Sequence, residues 1–451
     1  MLIFIENTPR AYAWGSMDAL AEMLGTQPTG EPQAELWLGT HPGSPAHVAK
    51  ATPVGQTLID LVESDPERYG VHGGPLPFLL KVLAIGAPLS LQVHPDRAQA
   101  AAGFAAEERA GIPRDARERN YGDANHKPEL LVALSEVTAL SGFRPLADAR
   151  RELLVCAGAA RAAGDAAGAA ALDAVAERLT GADSGEVRRR FLRWAFGGDA
   201  AVAAALAALA ALIAPEHAPG HAETAPDSGG AAPGHAETAP EPAAVPDLAA
   251  DRRAALRELV RTHPGDPGVL VSLLLHLVRL APGEALFLRA RQLHAYLGGI
   301  AVEVMAASDN VLRAGLTEKH VDVAELCRIL DADEVAEPRF PGAALRPGLT
   351  VWRPLVDDFQ LMRASLCEPD DGAGAGPSAC TSGAETAPVI EVTAEHPIVL
   401  VVTVGRVRVE RLATELAEVA TARRGQSLYV SAGEPIRLTG TGEVFLATVG
   451  E

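Results

Sequence analysis

Leu89 to Pro95 reads Leu-Ser-Leu-Gln-Val-His-Pro, with apolar and polar residues changing places at every step. In an extended chain this alternation turns Leu89, Leu91 and Val93 toward a core and Ser90, Gln92 and His94 the other way. A carboxamide oxygen and an imidazole nitrogen then stand two residues apart, and both suit a borderline divalent cation such as zinc. A lone Gln-x-His is more often a polar strand face, so the metal reading depends on donors elsewhere. The second stretch is His126-Lys127-Pro128-Glu129, ahead of the apolar run Leu130 to Leu134. Pro128 favours an extended neighbour, which puts Lys127 and Glu129 on one face and aims a cation and a carboxylate together. In the third stretch, Gln292 to Gly299, His294 and Tyr296 share a face. Gln92, His94, Glu129 and His294 together offer two nitrogens and two oxygens, enough to hold zinc and leave room for water or substrate oxygens. The same donors also serve manganese, cobalt or iron.

A fourth stretch runs from Val302 to Gly315. Glu303 lies between two valines and faces away from them, and Arg313 follows an Asp-Asn turn and precedes Gly315. Arg313, Lys319, Lys127 and Lys81 are candidate partners for a phosphate or oxyanion. Taken singly, each would be an ordinary surface or paired charge. Trp14, in the turn Tyr12 to Gly15, is either a core plug or a pocket wall.

The elements that must position these groups follow from period and punctuation. Short apolar runs broken by Gly and Pro make Met1 to about Pro145 strand-like, with a helix expected at Arg97 to Glu108. From Leu146 the period turns helical, over Ala147–Ala163, Ala169–Leu179, Gly185–Phe196, Asp199–Ile213, Asp251–Thr262 and Pro267–Leu280. Pro215 to Pro246 contains the same Ala-Pro-Gly-His-Ala-Glu-Thr-Ala-Pro twice and has too little apolar surface to offset its ordering entropy, so a disordered loop is expected. Strand character returns from Glu284 and continues toward the C-terminus as an antiparallel barrel or sandwich, with a second low-complexity insertion at Gly372 to Pro388.

Composition sets bounds on function. With 451 residues and 48% hydrophobic content the chain can bury more than one core. A formal charge of -19 argues against nucleic-acid or anionic-membrane partners, although an anionic small substrate is still served if cations are concentrated locally. Four scattered cysteines without a Cys-x-x-Cys pair give neither a thiolate site nor a disulfide framework, consistent with a reducing cytoplasm. The Ala-rich run 200–214 is shorter than the roughly 20 residues of a membrane span.

Together, Tyr12–Ser16, Ala34–Gly39, Leu79–Pro95, Asn120–Leu134, Ser141–Pro145 and Gln292–Lys319 closely resemble the type I mannose-6-phosphate isomerase (phosphomannose isomerase) family of the cupin superfamily. The resemblance implies a mainly β fold with an α-helical insert, two cupin-like jelly-roll domains plus a helical domain. On that division, residues 1–145 and 267–330 form the catalytic cupin domain. Residues 146–266 form the helical domain, with its loop at 215–246, and residues 331–451 a C-terminal cupin-like domain without metal, since His396 is the only histidine after His320. The implied activity is zinc-dependent aldose-ketose isomerisation between mannose 6-phosphate and fructose 6-phosphate through a cis-enediol, carried out by a cytoplasmic monomer.

One Zn2+ per chain would be held by Gln92, His94, Glu129 and His294. The family's active-site positions fall on Trp14, Ser90, Lys127, Tyr296, Glu303, Asp309, Arg313 and Lys319. Of these, Arg313, Lys127 and Glu303 are expected to be catalytic; Trp14, Ser90, Tyr296, Asp309 and Lys319, together with Lys81, are expected to bind substrate. The general base stays open among Glu303, Lys127 and His126. Two rivals use the same scaffold: a redox-iron cupin oxygenase, which the basic residues disfavour, and a non-catalytic sugar-phosphate sensor, which the full set of charged positions disfavours.

Overall fold

Antiparallel strands carry both ends of the chain and helices its middle. The computed structural model describes residues 1–49, 55–71, 74–213, 247–366, 389–411 and 417–450. The segments expected as a disordered loop at 215–246 and as an insertion at 372–388 lie outside the described residues. The described chain divides into two units, one made of Met1–Phe143 with Leu275–Glu451 and the other of Arg144–Leu274.

The first unit contains two sheets. The nine-stranded one is organised on the long strand His294–Ala306. The first half of this strand pairs with Gln92–Val93 and Val137–Phe143, and the second half with Phe78–Ile85 and Glu129–Ala133. The halves meet at a register shift beside Gly299, where φ is 112° and a Cβ would fall 2.4 Å from the Glu136 carbonyl oxygen, so only glycine fits. The bend lets one strand serve both walls of a barrel.

Alternation along these strands separates two environments. Leu80, Val82, Val302, Val304, Leu130 and Val132 face outward and join Trp352, Phe359, Val401, Tyr429 and Phe445 of the second sheet in one core. Each such side chain contributes about 1.5–3 kcal/mol on burial, which holds the two sheets together. The opposite face turns into the barrel. It is apolar around Leu83, Leu131, Ala133 and Ala301, and carries Lys81, Glu129 and Glu303 elsewhere.

The second sheet has ten strands and an apolar interior that includes Leu349, Ile398, Leu400, Val407 and Leu438. It takes in the N-terminal strand: Leu2 pairs with Val430 and Ile5 with Ser427. The first residues of the chain therefore hydrogen-bond to the C-terminal sheet, a long-range pairing that no local period signals.

The second unit is helical, with helices Leu146–Ala162, Ala166–Arg178, Ser184–Ala195, Ala200–Ile213, Ala250–Thr262 and Gly268–Ser272. Asp165 and Asp183 cap two of them by accepting from the Gly168 and Glu186 amides. The expected helix Pro267–Leu280 is cut short. Leu275–Leu280 is a strand paired with Val137–Phe143, because Leu275, Val278 and Leu280 are buried while Arg279 is exposed, and the ladder satisfies the backbone. The architecture is thus mainly β, with two antiparallel sheets in one unit and an α-helical insert as the other. Among the described residues no single helix is long and apolar enough to cross a membrane.

Candidate metal centre and active site

Three buried acceptors converge inside the barrel. His94 follows the strand Gln92–Val93, Glu129 opens the strand Glu129–Ala133 and His294 opens the long strand. The Nε2 atoms of His94 and His294 each lie 3.4 Å from a carboxylate oxygen of Glu129, and the two rings are 5.1 Å apart. The protonation pattern follows from the other ring nitrogens. His94 Nδ1 donates to the Asn310 carbonyl at 2.6 Å, and His294 Nδ1 donates to the Gln292 carbonyl at 2.9 Å. A carbonyl can only accept, so both protons sit on Nδ1 and both Nε2 lone pairs point at the carboxylate. Neither nitrogen nor Glu129 Oε2 has a hydrogen-bond partner among the described residues. Facing acceptors repel, and each unsatisfied buried group costs about 1–3 kcal/mol, which a shared cation would recover.

The charges fit a cation site. Burial draws the His94 imidazole down to about 4, so it is neutral near pH 7. Burial disfavours the Glu129 carboxylate, yet the Lys127 ammonium beside it outweighs that and holds the carboxyl well below its usual range. Lys127 Nζ meets Glu129 Oε1 at 2.9 Å. Gln92 pairs in register with His294 on one side and Arg313 on the other, so its side chain stands on the cage face between them.

A second buried cluster lies along the same wall. Lys81 sits directly across from both Trp37 and Glu303, with its ammonium 3.5 Å from Glu303, 3.9 Å from Glu35 and 4.9 Å from the Trp37 ring centre. Burial alone would lower Lys81, but the Glu35 and Glu303 carboxylates reverse this and raise it. Tyr296 donates its hydroxyl to Glu303 at 2.9 Å. Burial pushes Glu303 up to about 7, helped by the Glu129 charge and opposed by Lys81. Burial and the Glu303 charge also raise the Tyr296 phenol, which keeps it a donor.

The remaining predicted residues are placed as follows. Arg313 is half-buried and Lys319 exposed; both line a cleft of about 440 Å³ with Arg117, Asn120 and His320. The Arg313 charge, with some burial, lowers the Lys319 ammonium. Asp309 is exposed and lies 3.4 Å from His41 Nε2. Trp14 stacks on Tyr12 at 5.9 Å and packs against the barrel's apolar interior. Ser90 is half-buried just ahead of Gln92. His126, one of the three base candidates, is turned to Asp358 at 2.7 Å instead of the cage.

Several contributing residues escaped sequence reasoning. Glu35 pairs Lys81 and accepts from the Trp37 indole. Buried Asn310 holds His94 with its carbonyl. Its side chain accepts from the Gly122 amide and donates to the Asp123 and Asn125 carbonyls, all at 2.8–2.9 Å. The only hint was position, since Glu35 lies in one motif stretch and Asn310 in another.

Fold and site define a class: a cupin-like barrel enzyme whose interior can hold a divalent cation beside a buried acid and base. The profile of the family described as phosphomannose isomerase type I, catalytic domain, matches residues 2–146. Mannose-6-phosphate isomerase of Escherichia coli is 37% identical over 361 residues, covering 78% of this chain and 81% of that protein. The Bos taurus mannose-6-phosphate isomerase is 31% identical, with 79% and 80% covered. A crystal structure of a variant of phosphomannose isomerase from Salmonella typhimurium superposes with a TM-score of 0.77 at 29% identity over 100% of both chains. A zinc-bound mannose 6-phosphate isomerase structure gives the same TM-score, identity and coverage. The chain belongs to the type I mannose-6-phosphate isomerase family.

Proposed function

We propose that the chain interconverts mannose 6-phosphate and fructose 6-phosphate through a cis-enediol, with one zinc held by Gln92, His94, Glu129 and His294. The observation that carries this is the convergence of two imidazole lone pairs and one carboxylate oxygen, Glu129 Oε2, all buried and without a donor among the described residues. A solved relative contains zinc at this level of similarity. When bound, the metal would supply Lewis-acid polarisation of substrate oxygens.

The protein's own groups supply the rest. Aldose and ketose differ by a proton moved between C1 and C2 and another between their oxygens. Glu303, near pH 7 half-charged and steadied by Tyr296 and Lys81, is assigned the carbon proton, because a base with a pKa near the working pH both accepts and returns it. Lys127 and Arg313 hold the negative charge that develops on the oxygens, already oriented before the reaction. Arg313 and Lys319 form the positive cleft that suits the phosphate. Trp14, Ser90 and Asp309 are assigned to the sugar.

We assign the work to a cytoplasmic monomer with no nucleic-acid or membrane partner. A coupled assay with mannose 6-phosphate tests the reaction. Turnover that vanishes with chelator and returns with one zinc per chain is expected. Full activity in verified metal-free protein, or none in zinc-loaded protein, overturns the proposal. Light scattering on the eluting protein tests the monomer.

A further inference from the structure

A second cavity, of about 590 Å³, opens outside the cage. Its volume falls in the range of small-molecule sites. The Phe287 and Phe340 rings, 5.5 Å apart, form its apolar body with Val335 and Val356. Its charge is unusual for an acidic chain. The Arg289 side chain is exposed and its guanidinium has no hydrogen-bond or ion-pair partner among the described residues. Arg291 donates from Nε to the neutral Ile329 carbonyl at 2.9 Å. Arg339, also on the lining, is already neutralised by Glu284 and Glu337. The one acid among the described lining residues, Asp96, is turned to the N-terminus of the helix Arg97–Ala110, where the Gln99 amide and the helix dipole partly offset its charge.

We propose that this cavity binds a small organic monoanion with an aromatic or aliphatic body, and that its occupancy is felt at the metal cage. The apolar walls take the body, and the uncompensated Arg289 and Arg291 guanidiniums take the charge. The coupling is carried by one turn. Arg291 has φ 71°, a left-handed conformation that a side chain adopts at a cost of about 1–3 kcal/mol, and its amide donates to the His94 carbonyl at 2.6 Å. The next carbonyl, of Gln292, fixes the His294 proton on Nδ1. An occupant that grips Arg291 therefore pulls on the backbone that orients both histidines. Binding stands apart from the catalytic proposal, whereas the coupling rests on the zinc reading.

The test is titration of the zinc-loaded full chain with 1-anilinonaphthalene-8-sulfonate, followed by dye fluorescence. One saturable site is expected, unchanged by saturating mannose 6-phosphate. Arg289→Glu, which reverses the charge, and Ala336→Trp, which fills the mouth from an exposed position, should each weaken it about tenfold or more. Undiminished binding in either variant, or displacement by the sugar phosphate, overturns the site. Saturating dye should also change the rate of zinc release to a chelator about twofold or more, and an unchanged rate overturns the coupling.

Discussion

Replacing Glu303 with glutamine should make the metal-free protein progressively more stable, relative to the unaltered chain, as pH rises from about 4.5 to about 8. Glu303 is 3% exposed, and burial lifts its carboxyl from the ordinary 4.5 to about 7. Between those values the folded protein holds a proton that the unfolded chain has released, so stability falls as pH rises through the window. Below about 4.5 both states are protonated and the penalty is absent; above about 7 it is present in full. The interval corresponds to roughly 3 kcal/mol. Glutamine keeps the shape and an acceptor for Tyr296 but never ionises. Attraction to Lys81 acts only on the charged carboxylate and is already contained in its raised pKa, so only a constant packing offset remains, which shifts the whole curve and leaves the slope intact. Urea unfolding of both proteins in chelator at several pH values, followed by tryptophan fluorescence, reads the difference directly. Trp14, Trp37 and Trp352 report on the β unit. A difference flat within about 0.5 kcal/mol across the window would refute both the buried, neutralised carboxyl and its choice as the proton carrier.

Three further outcomes follow from the same geometry. Glu129→Ala removes the only anion of the cage, so dialysed protein should lose bound zinc and turnover together; metal analysis showing one zinc per chain would strike Glu129 from the ligand set. Arg313→Ala should lower kcat by about 100-fold if the guanidinium acts on developing charge, and an unchanged kcat removes it from that role. Asn310→Ala strips the five side-chain hydrogen bonds that tie the Gly122–Asn125 segment to the His94 support. It should cost about 2–3 kcal/mol and weaken zinc binding about tenfold or more, measured by unfolding and by competition with a chelating dye.

The local part of the site was legible in the sequence. Strand alternation put Gln92 and His94 on one face, Lys127 with Glu129, and Glu303 away from Val302 and Val304, because a period of two is fixed by backbone geometry alone. Long-range partners were not legible: Glu35 meets Lys81, and Asn310 meets His94, only once distant segments pair. The leucine-rich run 273–280 read as helix because a short apolar stretch satisfies either period. The ladder to Val137–Phe143 decided it. Leu2–Glu6 shows the same limit, since its partner is the strand Ser427–Val430.

The chain leaves the barrel at Phe143 and re-enters at Leu275, and these two residues face each other across one antiparallel ladder. To the barrel, the whole helical unit is therefore the connection of a single hairpin. Proteolytic scission between Ile213 and Asp247 would separate His94 and Glu129 covalently from His294 but leave that ladder, and the pairing of the long strand, untouched. The two fragments should travel together through gel filtration and still retain zinc, as a complemented pair rather than as debris.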